Sequence, residues 1–167
     1  MVDGLVCDSW CMSSEFTNQA PQPPDDRIAE LLGPEHSPLT SRMGLEVLSV
    51  SAQEATARFP VEGNTQAMGL WHGGASAVLV ETLGSVAASC YAGPGRLTVG
   101  TELNVTHHRA VRQGWVHARA EALHLGATTA TYEVVLTDDA GRRIATGRVS
   151  CRLMRAPSNR GTTRPAA

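Results

Sequence analysis

Residues 73 to 92 read GGASAVLVETLGSVAASCYA, a small and aliphatic run with one charged side chain, Glu81. At helical period this run predicts a long helix that starts after His72 and stops at Gly93-Pro94-Gly95. A helix that is apolar nearly all round is a core helix. Its polar side chains gather on one stripe, with Glu81, Ser85 and Ser89 in line and Thr82 beside them. A carboxylate in a buried helix is rare unless it is paired or put to use. Upstream, Asp25 or Asp26 can cap a short helix that ends at Leu32, before Gly33-Pro34. Strand-like runs follow at 43–51 and 54–61, and loop 62–68 carries Gln66 up to the long helix. Downstream, Leu97, Val99, Thr101, Leu103, Val105 and His107 alternate along one strand face, which places His107 in a core-facing row. Glu102, Asn104, Thr106 and His108 occupy the other face. Further strands are expected at 115–125, 128–138 and 142–154, the last two joined by an Asp138-Asp139-Ala140-Gly141 turn.

The expected fold is α+β. Four consecutive strands after the helix imply antiparallel pairing, and a curled antiparallel sheet wrapped around one long helix explains the helix's apolar girth. Gly73, Gly74, Ala75, Ala77, Gly84, Ala87 and Ala88 permit the close approach this hotdog architecture requires. Residues 1–24 show no periodicity and 155–167 hold no core residues, so both read as disordered tails around one domain at 25–154.

Composition narrows the function. The 167 residues carry a formal charge of −2 with scattered basic side chains, which argues against a nucleic-acid surface. Cysteines at 7, 11, 90 and 151 lack metal-ligand spacing. His107 and His108 point to opposite strand faces, and with His117 and His124 they define no ligand set, so no metal is expected. Gly, Ser and Thr dilute the long apolar run and an acid sits at its centre, against a membrane span. The N-terminus has neither the basic region nor the apolar run of a secretory signal, so a reducing, cytoplasmic compartment is expected.

The segments GLWHGGASAVLVETLGS, VGTELNVTHHRAV and LHLG resemble the hotdog-fold acyl-CoA thioesterases of the phenylacetate-pathway type. Within that group they are similar to 1,4-dihydroxy-2-naphthoyl-CoA thioesterases and to the proofreading thioesterase of enterobactin synthesis. The resemblance covers about residues 40 to 154. It implies Glu81 as nucleophile or general base, with His72, Gly73, Gln66 and Ser85 completing the catalytic group. It also implies His107 at the substrate. Gly74 and Trp71 join the substrate-binding set, although Trp71 replaces an aliphatic residue and so alters the acyl pocket. The implied substrate is an acyl-CoA, with an aromatic acyl group favoured; an acyl carrier protein thioester is the alternative. No separate cofactor is implied, since CoA is part of the substrate.

The residue chemistry agrees. Thioester hydrolysis needs a nucleophile or activated water, plus a donor where the carbonyl oxygen becomes an oxyanion. The unsatisfied N–H groups at Gly73 and Gly74 lie at a positive helix end and suit that task. Yet Gly73 and Glu81 are separated by about 12 Å along one helix, too far to serve one carbonyl. Two antiparallel helices would bring them together, so a homodimer is required for the site, and a homotetramer is expected. Arg109 and Arg112 read more readily as solvated strand-end charges than as CoA phosphate ligands. A hotdog hydratase or dehydratase using His107 and Glu81 is the rival enzyme. A non-catalytic acyl-CoA-binding module is the rival outside enzymology.

Overall fold

In a computed structural model describing residues 24, 26–33 and 35–156, two short helices, α1 (Asp26–Leu32) and α2 (Pro38–Arg42), lead into the sheet. The expected tails, with Cys7 and Cys11, lie almost wholly outside the described residues. Strands β1 (Glu46–Val50) and β2 (Glu54–Pro60) form a hairpin, and the chain then enters α3 (Gly73–Ala92). Four strands follow: β3 (Arg96–His107), β4 (Trp115–Leu125), β5 (Thr129–Thr137) and β6 (Arg143–Arg155). All pair antiparallel in one sheet of order β1-β2-β4-β5-β6-β3, curled around α3. The α+β hotdog expectation holds. The last four strands are not one meander, however. Strand β3 crosses to the far edge and pairs with β6, while β4 pairs with β2. Gly114, with φ of 83°, turns the connection into β4, and the Val61 N–H donates to its carbonyl at 2.9 Å.

The core lies between α3 and the concave sheet face, with Leu79, Leu83, Phe59, Tyr132 and Leu136 fully buried. Two glycines let the helix approach β6. A Cβ on Gly84 would overlap Val149 Cγ1, and one on Gly147 would stand 2.7 Å from Val80 Cγ2. Each absent methyl makes room for a valine from the opposite element. Helix α3 has the length and composition of a membrane span, but half of that stretch is packed inside the sheet.

Two expectations change here. The helix is not enclosed all round: Gly74 and Glu81 are exposed, and Ala77, Val78, Thr82 and Ser85 are half-buried. The sheet covers one side only, and the polar stripe with its flanking apolar residues forms an open face. Strand β3 also does not alternate in one phase. A bulge between Gly100 and Glu102 slips the register by one residue. Before it, Thr98 and Gly100 face the helix while Leu97 and Val99 point outward, 46% and 44% exposed. After it, Leu103, Val105 and His107 face the helix side, opposite the inward Val149, Gly147 and Ala145 of β6. One extra residue exchanges the faces of a strand.

Candidate active site

At the start of α3, His72 is the N-cap with an extended backbone, and its Nδ1 accepts the Gly74 N–H at 2.8 Å. A ring nitrogen that accepts carries no proton, so the neutral ring bears its hydrogen on Nε2. The Ala75 and Ser76 N–H groups both donate to the His72 carbonyl, at 2.9 and 3.3 Å. A helix leaves its first four N–H groups without partners from its own turns. Of these, the His72 N–H donates to the Asn64 carbonyl at 3.0 Å, Gly74 to the imidazole and Ala75 to the His72 carbonyl, while the Ser76 bond is already the helix's own; the Gly73 N–H has no acceptor among the described residues. The pair of amides expected from the sequence is therefore one, because the imidazole of His72 occupies Gly74.

His107 packs on the same glycine. Its Nε2 lies 3.3 Å from the Gly73 carbonyl oxygen, and a Cβ on Gly73 would stand 3.1 Å from that nitrogen. The ring faces the helix, as the alternation predicts, but at an exposed rim and not in the core. His108 turns to the outer face and meets Thr146 Oγ1 at 3.0 Å, so the two adjacent imidazoles do diverge. Gln66 is exposed on the turn entering the helix. That turn is closed by the Gln66 N–H donating to the Leu70 carbonyl and the Gly69 N–H donating to the Gln66 carbonyl. Trp71 sits differently from the expectation for an acyl-pocket residue: it is 7% exposed and tilts on Phe59 with ring centroids 6.3 Å apart. Its Nε1–H donates to Ser76 Oγ at 2.7 Å. A large ring with its polar atom satisfied is a core anchor.

Eight residues along α3, Glu81 opens onto a second place, a cleft of about 330 Å³. Thr82, Ser85 and Ser89 line it from the helix, Thr98 from β3, and Leu39 and Thr40 from α2. Gly100 lies beneath the carboxylate; a Cβ there would come within 3.0 Å of Glu81 Oε1. Neither Gly100 nor the α2 wall was foreseen from the sequence. The glycine inside a strand pattern was the available signal for the first, and the five residues of α2 gave no periodic signal for the second. Ser85 Oγ stands 3.7 Å from the buried Cys151 Sγ. Burial pushes the Cys151 thiol pKa up, Ser85's hydrogen bond opposes this, and the Glu81 charge adds to the rise. Cys151 is thus kept as a neutral thiol, unsuited to nucleophilic attack. Among the described residues, no three His, Cys, Asp or Glu side chains converge as metal ligands.

The chain therefore presents two separate groups of candidate residues along one helix. One has an open N–H flanked by two imidazoles and Gln66. The other has a carboxylate with a hydroxyl one turn on, at the mouth of a cleft. The fold is the hotdog fold of thioester hydrolases, and the chain belongs to the thioesterase superfamily. The family's sequence model matches residues 68–145, a span that includes His72, Glu81 and His107. The chain is 43% identical over 117 residues to the proofreading thioesterase EntH of Cronobacter turicensis, covering 70% of this chain and 85% of that protein. It is 41% identical over 127 residues to EntH of Klebsiella pneumoniae, covering 75% and 90%. Among solved structures, a mutant of thioesterase PA1618 from Pseudomonas aeruginosa superposes with a TM-score of 0.73 at 32% identity, covering 81% of this chain and 97% of that one. Thioesterase HI1161 from Haemophilus influenzae gives 0.69 at 28% identity, covering 73% and 86%.

Proposed function

We propose that this thioester hydrolase acts on an aromatic acyl thioester, with Glu81 of one subunit and the Gly73 N–H of another meeting at one carbonyl. The observation that carries the reading is the separation of the half-sites. The open amide and the carboxylate lie about 12 Å apart along one rigid helix. Each half also lies on the side of α3 that the sheet leaves uncovered. An antiparallel second helix on that side would set each Glu81 against the other's N-terminus, giving two equal sites in a two-fold homodimer. A homotetramer would pair two such dimers.

In that site the Gly73 N–H donates to the thioester oxygen and strengthens its bond as the oxygen becomes negative. Glu81 either attacks the carbonyl carbon or takes a proton from a water that does. Direct attack expels the thiolate and leaves a mixed anhydride, which water hydrolyses to the free acid and the regenerated carboxylate. The water route gives the same products in one addition and one elimination. Ser85 orients the carboxylate or the water, His72 and Gln66 position the carbonyl, and His107 holds Gly73 from behind. Gly74 contributes space and fixes His72. No further cofactor is required by this chemistry.

Two leaving groups fit, CoA and the phosphopantetheine thiol of an acyl carrier protein. The curated relatives are named proofreading thioesterases, which supports the carrier-protein reading. Hydrolysis of one acyl group presented on CoA and on a carrier protein separates them by kcat/KM.

The composite site is tested by mixing. Glu81→Gln and a Gln66→Ala/His72→Ala double variant should each be inactive. Co-refolded, they should regain about a quarter of wild-type activity, because half of the dimers are mixed and each carries one intact site. Heterodimers that form and stay inactive would place the whole site in one subunit.

A further inference from the structure

The thiol of Cys151 is fully buried and takes no part in attack on the thioester, yet it lies close under Glu81 and Ser85. Strand β6 pairs with β3 so that Cys151 stands opposite Gly100, the glycine beneath the Glu81 carboxylate. Such cross-strand partners are about 5 Å apart, close to the rise of one helical turn, about 5.4 Å. Glu81 and Ser85, one turn apart on α3, thus rest over neighbouring strands, the acid on Gly100 and the hydroxyl on Cys151. Cys151 Sγ is 3.7 Å from Ser85 Oγ, and the thiol is the only hydrogen-bond partner of that hydroxyl among the described residues. The distance lets either atom donate, and the surroundings decide between them. A hydroxyl has one proton to give and can accept twice, whereas a thiol is a weak donor and a weak acceptor. A Ser85 proton spent on sulfur would leave the stronger acceptor, the Glu81 carboxylate one turn away, unserved. The opposite arrangement gives the S–H to Ser85 Oγ and turns the Ser85 O–H towards the acid or its water. Burial, with the Glu81 charge adding to it, keeps Cys151 protonated, so the S–H is there to donate.

Resting on the Glu81 chemistry proposed above, we infer that Cys151 is a positioning residue: its S–H donates to Ser85 Oγ and so fixes the direction in which Ser85 presents its proton to Glu81 or the attacking water. Cys151 touches no reacting atom and acts only through Ser85. It is held by strand register between Gly100 of β3 and Ala130 of β5, so the sheet aims a hydroxyl that the helix carries.

The test uses the full-length protein with benzoyl-CoA and 2-naphthoyl-CoA, a melting curve on every variant, and the infrared S–H stretch, which lies clear of other protein bands. Cys151→Ala should lower kcat about three- to fivefold with KM little changed, a smaller loss than Ser85→Ala causes. Cys151→Val, which fills the space but donates nothing, should behave as Cys151→Ala does. Cys151→Ser keeps a donor at that place and should hold about half or more of the wild-type kcat. In a Ser85→Ala protein, adding Cys151→Ala should change kcat less than about twofold, because the group it acts through is gone. The S–H band of Cys151, identified as the one that Cys151→Ser removes, should move to higher frequency in Ser85→Ala, as a donor that has lost its acceptor does. Losses that add in the double variant, no rescue by folded Cys151→Ser, or wild-type kcat in both Cys151→Ala and Cys151→Val would overturn the positioning role. A band that Ser85→Ala leaves in place would overturn the bond itself. Near-normal turnover of Glu81→Gln with the band shift intact would overturn the catalytic reading and keep the thiol–hydroxyl bond.

Discussion

Gly100 shows how closely the candidate site is fitted, atom against atom. Its missing Cβ is the space in which the Glu81 carboxylate rests. Gly100→Ala should displace that carboxylate by a few tenths of an ångström and lower kcat by about ten- to a hundredfold, with KM and thermal midpoint little changed. Steady-state kinetics beside a melting curve checks it, and an equal fall in stability would show that Gly100 serves packing only. Glu81→Gln should reduce kcat by about three orders of magnitude or more while circular dichroism stays native. Ser85→Ala should cost about tenfold, because the hydroxyl only orients. Near-normal turnover in folded Glu81→Gln protein would sink the mechanism. At this scale most residues of the candidate site were nameable from the sequence. Glu81 stood out as the one charge in an apolar run, and the histidines and Gln66 came from resemblance. The commitment of the Gly74 amide to His72 could not be read, since it depends on a ring turning back onto its own helix. Trp71 was misplaced for a similar reason. Its aromatic bulk signals a pocket or a core equally well, and the Ser76 hydroxyl that satisfies its indole decides for the core.

Among the elements, α3 and β6 are fitted to each other through glycine. Gly84→Ala should force Val149 aside and destabilise the protein by about 1–3 kcal/mol. Val149→Ala in the same chain should recover part of that loss, and urea titration of the two singles and the double measures the coupling. Additive losses would mean that the helix shifts as a body instead. The strands β1 to β6, the long helix and α1 were legible within a few residues because each has a clear period and a turn or stop signal. Helix α2 was not. Five residues beginning with proline make too little pattern, and contacts with the rest of the molecule hold them. The phase of β3 was misread for a physical reason: alternation continues on both sides of a bulge, and the sequence does not mark the slip.

Across the whole molecule, the strand order was the part least available beforehand. Neighbouring runs suggest hairpins, and only the return of β4 to β2 closes the sheet around the helix. The Asp138–Gly141 turn between β5 and β6 was foreseen, and it also bears on acid stability. A hydrogen bond from Arg142 holds the Asp138 carboxyl below the usual range, with the backbone N–H groups of Arg142 and Ala140 assisting. His117 does the same for Asp139, helped by the Trp115 N–H. Depressed folded-state values mean that these carboxylates favour the fold above their unfolded pKa, about 3.9. That contribution fades as pH falls through the lower folded values. The urea midpoint should therefore drop between pH 5 and pH 2, and an Asp138→Ala/Asp139→Ala protein should be less stable at pH 7 and show a shallower drop. Parallel profiles for the two proteins would remove the turn from the acid response.

The bulge at Thr101 makes β3 behave like a reading frame. Upstream of it, Thr98 and Gly100 are in phase with the cleft; downstream, His107 is in phase with the helix entrance. Substitutions leave that phase intact, and deleting Thr101 would only make the alternation regular, because Gly100 and Glu102 already pair with the consecutive residues Cys151 and Ser150 of β6. Deleting a residue between Glu102 and His107 would instead turn every later side chain to the opposite face. His107 would then leave Gly73, and His108 would take its position opposite Ala145. Within a lineage of such chains, the strand should therefore tolerate exchange of its residues far better than any change in their number.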